Sequence, residues 1–254
     1  MAIKVLVTGG KGGTGKTFVA TNLAYLAARK GIATLLVDAD VENPNTWISL
    51  GASKPRRIAT VYSYRPSIDE SRCSLCGKCV EVCPAHALAL IPGKRVLLID
   101  TLCEGCMLCM YVCPQRAVNQ LMSEVGWISV TRHGPLDVLV GELRPGERHE
   151  DLVVEKLLEY LANAEQGKEL IVIDSPAGTR LVYKLAKRSD RYVCVVEPTP
   201  LSLNGMKRLM RFIDPRKTVG VVNKVGMAPE MERAIRTLFQ ELSIPWIEIP
   251  FSQR

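Results

Sequence analysis

Long hydrophobic runs are missing from this 254-residue chain: no apolar stretch approaches the ~18 residues that a bilayer-spanning helix needs. That excludes a helical membrane span. The first residues, MAIKVLVTGG, lack the basic stretch, apolar core and small-residue cleavage site of a secretory signal. No segment is poor enough in apolar residues to stay unfolded, with 47% hydrophobic and 23% charged residues overall. Histidine is scarce, and neither His133 nor His149 has a motif around it. The reading is a soluble, cytoplasmic chain, long enough for one α/β domain or for one such domain carrying a small insert. Cysteine is the exception to this spareness. Nine of them in a cytoplasmic chain point to metal or redox chemistry rather than to disulfides.

Apolar strand-like runs alternate with helical patterns along most of the chain. IKVLVT (3–8) precedes a helix from about Lys16 to Lys30, and ATLLVD (33–38) follows. Later come LDVLVGEL (136–143), a helix over 151–164, LIVIDS (170–175) and a helix around 180–188. YVCVVEP (192–198), a helix over 203–213, TVGVVNK (218–224), a helix over 231–242 and WIEIP (246–250) complete the series. Continuous Val/Ile/Leu strands between amphipathic helices predict an α/β fold with a mostly parallel sheet covered on both faces. Residues 56–125 break the rhythm. Cys73, Cys76, Cys79 and Cys83 recur thirty residues later as Cys103, Cys106, Cys109 and Cys113, and each set is followed by a proline, Pro84 and Pro114. Such a repeat predicts a small inserted domain over 56–125, enclosed by a domain made of 1–55 and 126–254.

The loop after the first strand reads GGKGGTGKT (9–17). Gly10, Gly12 and Gly15 fit a dinucleotide fingerprint, with Asp38 placed where a ribose-binding acid belongs. The same residues fit a P-loop, Gly10-x-x-x-x-Gly15-Lys16-Thr17, with every fixed position filled. A triphosphate needs backbone N–H groups, an ammonium at the β/γ-phosphates and a hydroxyl on Mg²⁺. Lys16 and Thr17 supply the last two, and a pyrophosphate has little use for either. LIVIDSPAG (170–178) agrees, ending a hydrophobic strand in Asp174, a Walker B acid near the metal, with Pro-Ala-Gly beyond it as a γ-phosphate-sensing loop. The P-loop reading is preferred.

Lys11 departs from an ordinary P-loop. Lys11-Gly12-Gly13-Thr14-Gly15-Lys16-Thr17 resembles the deviant Walker A motif of the MinD/ParA class of P-loop ATPases. The resemblance extends over LLVDADVENPN (35–45), the Walker B segment and VVNK (221–224), most of the chain outside the cysteine region. It implies an ATP-dependent homodimer in which Lys11 reaches the partner's phosphates while Lys16 serves its own nucleotide, ATP or ADP. It also implies that Asp40 positions the attacking water, that Asp38 lies near Mg²⁺ and that Asn223 binds the base. The chain's end at Arg254 is expected to lack the amphipathic membrane helix of MinD and the family's closing elements.

C-x₂-C-x₂-C-x₃-C-P, present twice, is similar to the bacterial ferredoxin run, in which the fourth cysteine ligates the other cluster. Two four-iron clusters are therefore expected, one on Cys73, Cys76, Cys79 and Cys113, the other on Cys103, Cys106, Cys109 and Cys83. Zinc is the rival, but it leaves the third cysteine, the x₃ step and the proline unexplained. Residues 88–100 are expected to form a hairpin turned at Pro92-Gly93. Cys194 belongs to a buried strand, His86 to the surface, and Met107 and Met110 to packing. The formal net charge of +7 counts neutral cysteines. Eight thiolates (−8) holding two cores at +2 each (+4) bring it to about +3, so the basic excess largely offsets clusters. KPRR (54–57) and KRLMR (207–211) then read as solvated surface rather than a nucleic-acid groove.

The whole resembles MinD-type ATPases with an inserted ferredoxin domain. Three functions fit: ATP-gated electron transfer to a redox partner, ATP-dependent assembly of iron–sulfur or other metallocofactors, and ParA-like positioning with clusters as a redox sensor. Full thiolate ligation favours the first, because such clusters are built to stay.

Overall fold

The computed structural model describes residues 2–178 and 180–252, so the expectations about the end at Arg254 lie outside the described residues. β1 (Ile3–Thr8) leads through the glycine loop into α1 (Lys16–Arg29), followed by β2 (Thr34–Asp38) and α2 (Thr46–Ser49). The cysteine region contains β3 (Arg56–Ile68), α3 (Lys78–Glu81), β4 (Leu88–Ile91), β5 (Arg95–Leu98), α4 (Leu108–Tyr111) and β6 (Val118–His133). Then come β7 (Leu136–Leu143), α5 (Glu150–Ala164), β8 (Leu170–Asp174), α6 (Arg180–Ala186), β9 (Arg191–Val196) and α7 (Pro200–Leu209). β10 (Thr218–Val225), α8 (Pro229–Glu241) and β11 (Trp246–Pro250) follow. Among the described residues no helix is long and apolar enough to cross a membrane.

Among the described residues nine strands form one sheet in the order β11-β10-β9-β1-β8-β2-β7-β6-β3. From β11 to β7 every neighbour is parallel, whereas β6 and β3 run antiparallel at one edge. The central strands are buried on both faces, as their unbroken Val/Ile/Leu runs require. On one face α1 lays Ala20, Ala24 and Ala28 against Val7, Leu36 and Val172. The other face is thicker, with Val153 and Leu157 of α5, Leu185 of α6, Leu209 of α7 and Phe239 of α8. Small side chains on α1 let its axis come close to the sheet, which carries the helix N-terminus to the carboxyl ends of β1, β8 and β2, where ligands of such sheets bind.

The cysteine region differs from the expected insert in how it is attached. β3 and β6 pair along their whole length, from Arg56↔Val130 to Ile68↔Val118, with irregularities at Arg57/Ala59 and Val61/Tyr62. Only the inner part of β6, from Gly126 to His133, also pairs with β7. The chain has no break at 56 or 125: Val61 and Val125 both belong to the main core. The outer halves of β3 and β6 continue as a two-stranded ribbon that carries residues 69–117. There Cys79, Leu88, Val96, Cys109 and Val118 form a second, small core, and β4 and β5 make the hairpin between the two cysteine runs.

Candidate functional site

Gly15, at φ +97°, caps α1, and Gly13 is left-handed as well, so the loop turns its amides toward the helix N-terminus, where anions bind. Gly9 and Gly10 are needed for a different reason. A Cβ on Gly10 would lie 2.3 Å from the Gly205 backbone on α7, and one on Gly9 would lie 2.6 Å from the Val195 carbonyl. Asn223 donates its Nδ2 to the Thr14 carbonyl at 2.9 Å, and its Oδ1 accepts from the Lys224 amide. Here the side chain that the resemblance assigns to the base braces the P-loop turn. Lys16 is buried, and its Nζ donates to the Lys11 carbonyl at 3.2 Å. Burial holds its pKa below the ordinary value, partly offset by Asp174 and Asp40. Gly12 approaches Ala177, so the P-loop and the loop after β8 face one another.

Asp174 and Asp40 lie near Lys16, and Asp38 lies beside Asp174. Asp38 and Asp174 are register partners at the ends of β2 and β8, both fully buried. Asp38 is satisfied: its Oδ2 accepts from the amide and hydroxyl of Thr46, at 2.9 and 2.8 Å, and its Oδ1 from the Asp40 amide. Asp174 is not, since among the described residues neither of its oxygens has a hydrogen-bond partner. The Thr17 hydroxyl lies near enough to help hold its charge, though not in hydrogen-bonding geometry. Burial pushes both carboxyls far above the usual carboxylate range, and the Asp174 charge adds to the shift of Asp38. Burial also raises Asp40, against the pull of Lys16. A buried carboxylate with two orphaned oxygens, beside a hydroxyl and a second carboxylate, is an oxygen donor set suited to Mg²⁺. Asp40 lies beyond it, lining a cavity of about 240 Å³ with Glu42, Pro176, Ala177, Gly178 and Arg180.

Lys11 lies in the open part of the loop, and its ammonium is ion-paired with Glu197 just beyond β9. The other oxygen of Glu197 takes Lys224 Nζ at 2.5 Å, which also donates to the Gly13 carbonyl at 3.0 Å. Burial opposes the Glu197 charge, and the two lysines together hold its carboxyl below the ordinary range. No local motif announces Glu197, Lys224, Thr46 or Gly205. The available signals were the charged residue closing the apolar run YVCVVEP, the lysine beside Asn223 and a glycine inside a helix.

The cysteine repeat is also a conformational repeat. Leu75 and Gly105, Gly77 and Met107, and His86 and Arg116 each lie thirty residues apart, and all six have positive φ. Left-handed residues between cysteines aim successive amides at one point, the concave arrangement found around phosphates and iron–sulfur clusters. Ala87 N donates to Cys83 Sγ and Ala117 N to Cys113 Sγ, both at 3.2 Å. The thiols interleave. Cys79, raised by burial, also feels Cys73 and Cys113, whereas Cys103, raised by burial too, feels Cys83 and Cys106. The fourth cysteine of each run thus lies by the other run's set. Among the described residues no three Cys, His, Asp or Glu side chains gather as around a single metal ion. His86 is exposed, Met107 is buried as the cap of α4, and Met110 packs in the small core. Cys194 is buried in the main core, which pushes its thiol up to about 12.

One network joins the two regions. Arg65 on β3, almost fully buried, donates to Asp100 at 2.9 Å, to Glu147 at 2.6 Å and to its neighbour's carbonyl at 3.0 Å. A guanidinium only donates, so His149 Nε2, 3.4 Å away, accepts, and His149 Nδ1 donates to Glu147.

The nucleotide-binding domain described as CbiA, or CobQ/CobB/MinD/ParA, matches residues 5–253. An uncharacterized protein of Methanocaldococcus jannaschii is 32% identical over 89% of this chain and 79% of its own length. An iron-sulfur cluster carrier protein of Pyrococcus abyssi is 25% identical over 76% of this chain and 60% of its own. The structure of the Pyrococcus furiosus cell division ATPase MinD covers 98% of this chain with 84% of its own, at 19% identity and a TM-score of 0.55, a likeness of fold. Together with the geometry of the glycine loop and the acids facing it, the match over nearly the full length places the chain in the CobQ/CobB/MinD/ParA nucleotide-binding family.

Proposed function

We propose that this protein is a Mg²⁺-dependent ATPase that couples a nucleotide-driven dimer to electron transfer, with two four-iron clusters in an inserted ferredoxin-like unit. In this reading the P-loop amides and Lys16 cradle the phosphates. Thr17, Asp174 and Asp38 hold Mg²⁺, Asp40 orients water, and Lys11 serves the partner's nucleotide. Cys73, Cys76, Cys79 and Cys113 hold one cluster, and Cys103, Cys106, Cys109 and Cys83 the other. Bound clusters of this kind supply one-electron transfer. The chain's own contribution is a set of inward amides that stabilise thiolates, and a rigid seat for the unit.

The observation that carries the coupling is the buried Arg65 network. It ties Asp100, three residues before Cys103, to Glu147 and His149 at the entrance of α5. Glu150 and Asp151, in the first turn of α5, pair with Arg180 just beyond the 176–178 loop. The test is anaerobic. Protein loaded to about eight irons per chain is titrated by EPR with and without Mg-ATP. A potential or spectrum that moves with nucleotide supports the proposal, and an unchanged one removes the energetic coupling.

The relative named as an iron–sulfur cluster carrier favours a second reading, ATP-dependent cluster or metallocofactor assembly. It predicts ATP-dependent loss of iron from the loaded protein to an apo-acceptor, which retained clusters would not show.

A further inference from the structure

Glu197 occupies a position that neither phosphate binding nor metal binding explains. It follows β9 directly and is held rigidly. Its amide donates to Ser202 Oγ at 3.1 Å, and its carbonyl accepts from the Thr199 amide at 2.7 Å. Thr199 in turn caps α7 through the Ser202 amide. The same helix presses Gly205 against the backbone of Gly10, so the seat of Glu197 and the glycine loop keep a fixed spacing. Into this seat Lys11 and Lys224 place one ammonium on each carboxylate oxygen.

We propose that Glu197 is a positioning residue that parks Lys11 on its own chain, and that exchange of this ion pair for a partner's phosphate sets how readily the nucleotide-loaded chain dimerises. The inference rests on the reading of Lys11 as a contact made in trans. A lysine paired in cis is unavailable to a partner, so the dimer's apparent affinity falls by the fraction of chains with Lys11 parked. Lys224 explains why the parking is reversible. A buried carboxylate stripped of its only counter-ion is strongly unfavourable. With Lys224 on its second oxygen, Glu197 remains compensated when Lys11 leaves. Lys224 is placed to stay, because it also donates to the Gly13 carbonyl and its backbone, at φ +62°, is fixed beside Asn223.

The two partners of Glu197 therefore predict effects of opposite sign, which a purely structural role does not. The full-length chain is examined by analytical ultracentrifugation over a protein dilution series, with Mg²⁺ and a non-hydrolysable ATP analogue. Glu197→Gln frees Lys11, and its dimerisation midpoint should fall by about tenfold in protein concentration. Lys224→Met leaves Lys11 as the only counter-ion of a buried acid, and the midpoint should rise by a similar factor. If Glu197 only braces the loop, both variants weaken dimerisation, and that result overturns the proposal, as does an unmoved midpoint in Glu197→Gln. Should Glu197→Gln fail to fold, Glu197→Asp decides in its place: its shorter side chain keeps the charge but loosens the pair with Lys11, so its midpoint should fall, and a risen or unmoved midpoint overturns the proposal. Lys11→Ala separates the two levels. Wild-type dimerisation in that variant removes the trans reading itself, whereas a monomeric Lys11→Ala with Glu197→Gln unmoved removes only the role of Glu197.

Discussion

Asp174 keeps its carboxylate in the core with no hydrogen bond to either oxygen among the described residues, beside Asp38 on the neighbouring strand. Its pH behaviour follows from the sign of the shift. Both acids titrate higher in the fold than in the unfolded chain, so the fold retains protons that the unfolded chain has released. Stability without metal therefore falls as pH rises from the ordinary carboxylate range through neutrality, and below that range the two acids contribute no slope. Thermal melts of the metal-free protein should show a lower Tm at pH 8 than at pH 5, and added Mg²⁺ should recover more at pH 8. Asp174→Asn keeps the shape and removes the charge. At pH 8 it should be more stable by about 1–3 kcal/mol, a Tm rise of several degrees, while Mg-ATP hydrolysis is lost. A destabilised Asp174→Asn that still hydrolyses ATP would contradict this account of the site.

At the scale of elements, the two cysteine runs share a backbone but differ in surroundings. Leu75 and Gly105 occupy equivalent left-handed positions, so φ alone does not demand glycine at 105. Close approach does: a Cβ there would lie 2.7 Å from Ser63 Oγ and 2.9 Å from the Tyr64 carbonyl on β3. Gly105→Ala should push the second run off the ribbon at a cost of about 1–3 kcal/mol, seen as faster hydrogen exchange over residues 100–113. Unchanged protection there would mean that the run is not seated on β3. The same contrast explains what the sequence disclosed. The strands of the parallel sheet and their helices were legible because each is a local run of buried Val, Ile and Leu or an amphipathic face. β3 and β6 were not, because their outer halves are a mixed polar ribbon whose order comes from pairing Tyr62 with Glu124 and Ile68 with Val118. The P-loop, its facing acids and the repeat were visible as spacing. The Lys11–Glu197 and Arg65–Glu147 pairs join residues far apart in sequence, and no window of sequence contains them.

Across the whole molecule the proposed coupling needs a route from the glycine loop at one end of the sheet to the cysteines at the tip of the ribbon. The 176–178 loop adjoins Arg180, which pairs with Glu150 and Asp151 in the first turn of α5. Glu147 and His149 precede that turn and grip Arg65, whose far side holds Asp100. A second route is backbone: Leu143 N donates to the Val41 carbonyl at 2.7 Å, and Arg144 N to the Val125 carbonyl at 2.9 Å, linking the loop after β2 to the base of the ribbon. Spatial continuity is not coupling until a perturbation is shown to travel along it. Hydrogen exchange of the cluster-loaded protein with and without Mg-ATP measures this. Protection over residues 100–113 should change with nucleotide, and in Arg65→Met that distant change should shrink while the change over residues 9–17 persists. Arg65→Met also leaves Glu147 buried with less compensation and should cost about 3–5 kcal/mol. Asp100→Asn, which cuts the network at an exposed carboxylate, therefore serves as the milder test of the same route. If both variants transmit the nucleotide signal as fully as the wild type, the Arg65 network is only a structural seat, and the backbone route through Val41 and Val125 becomes the path to examine.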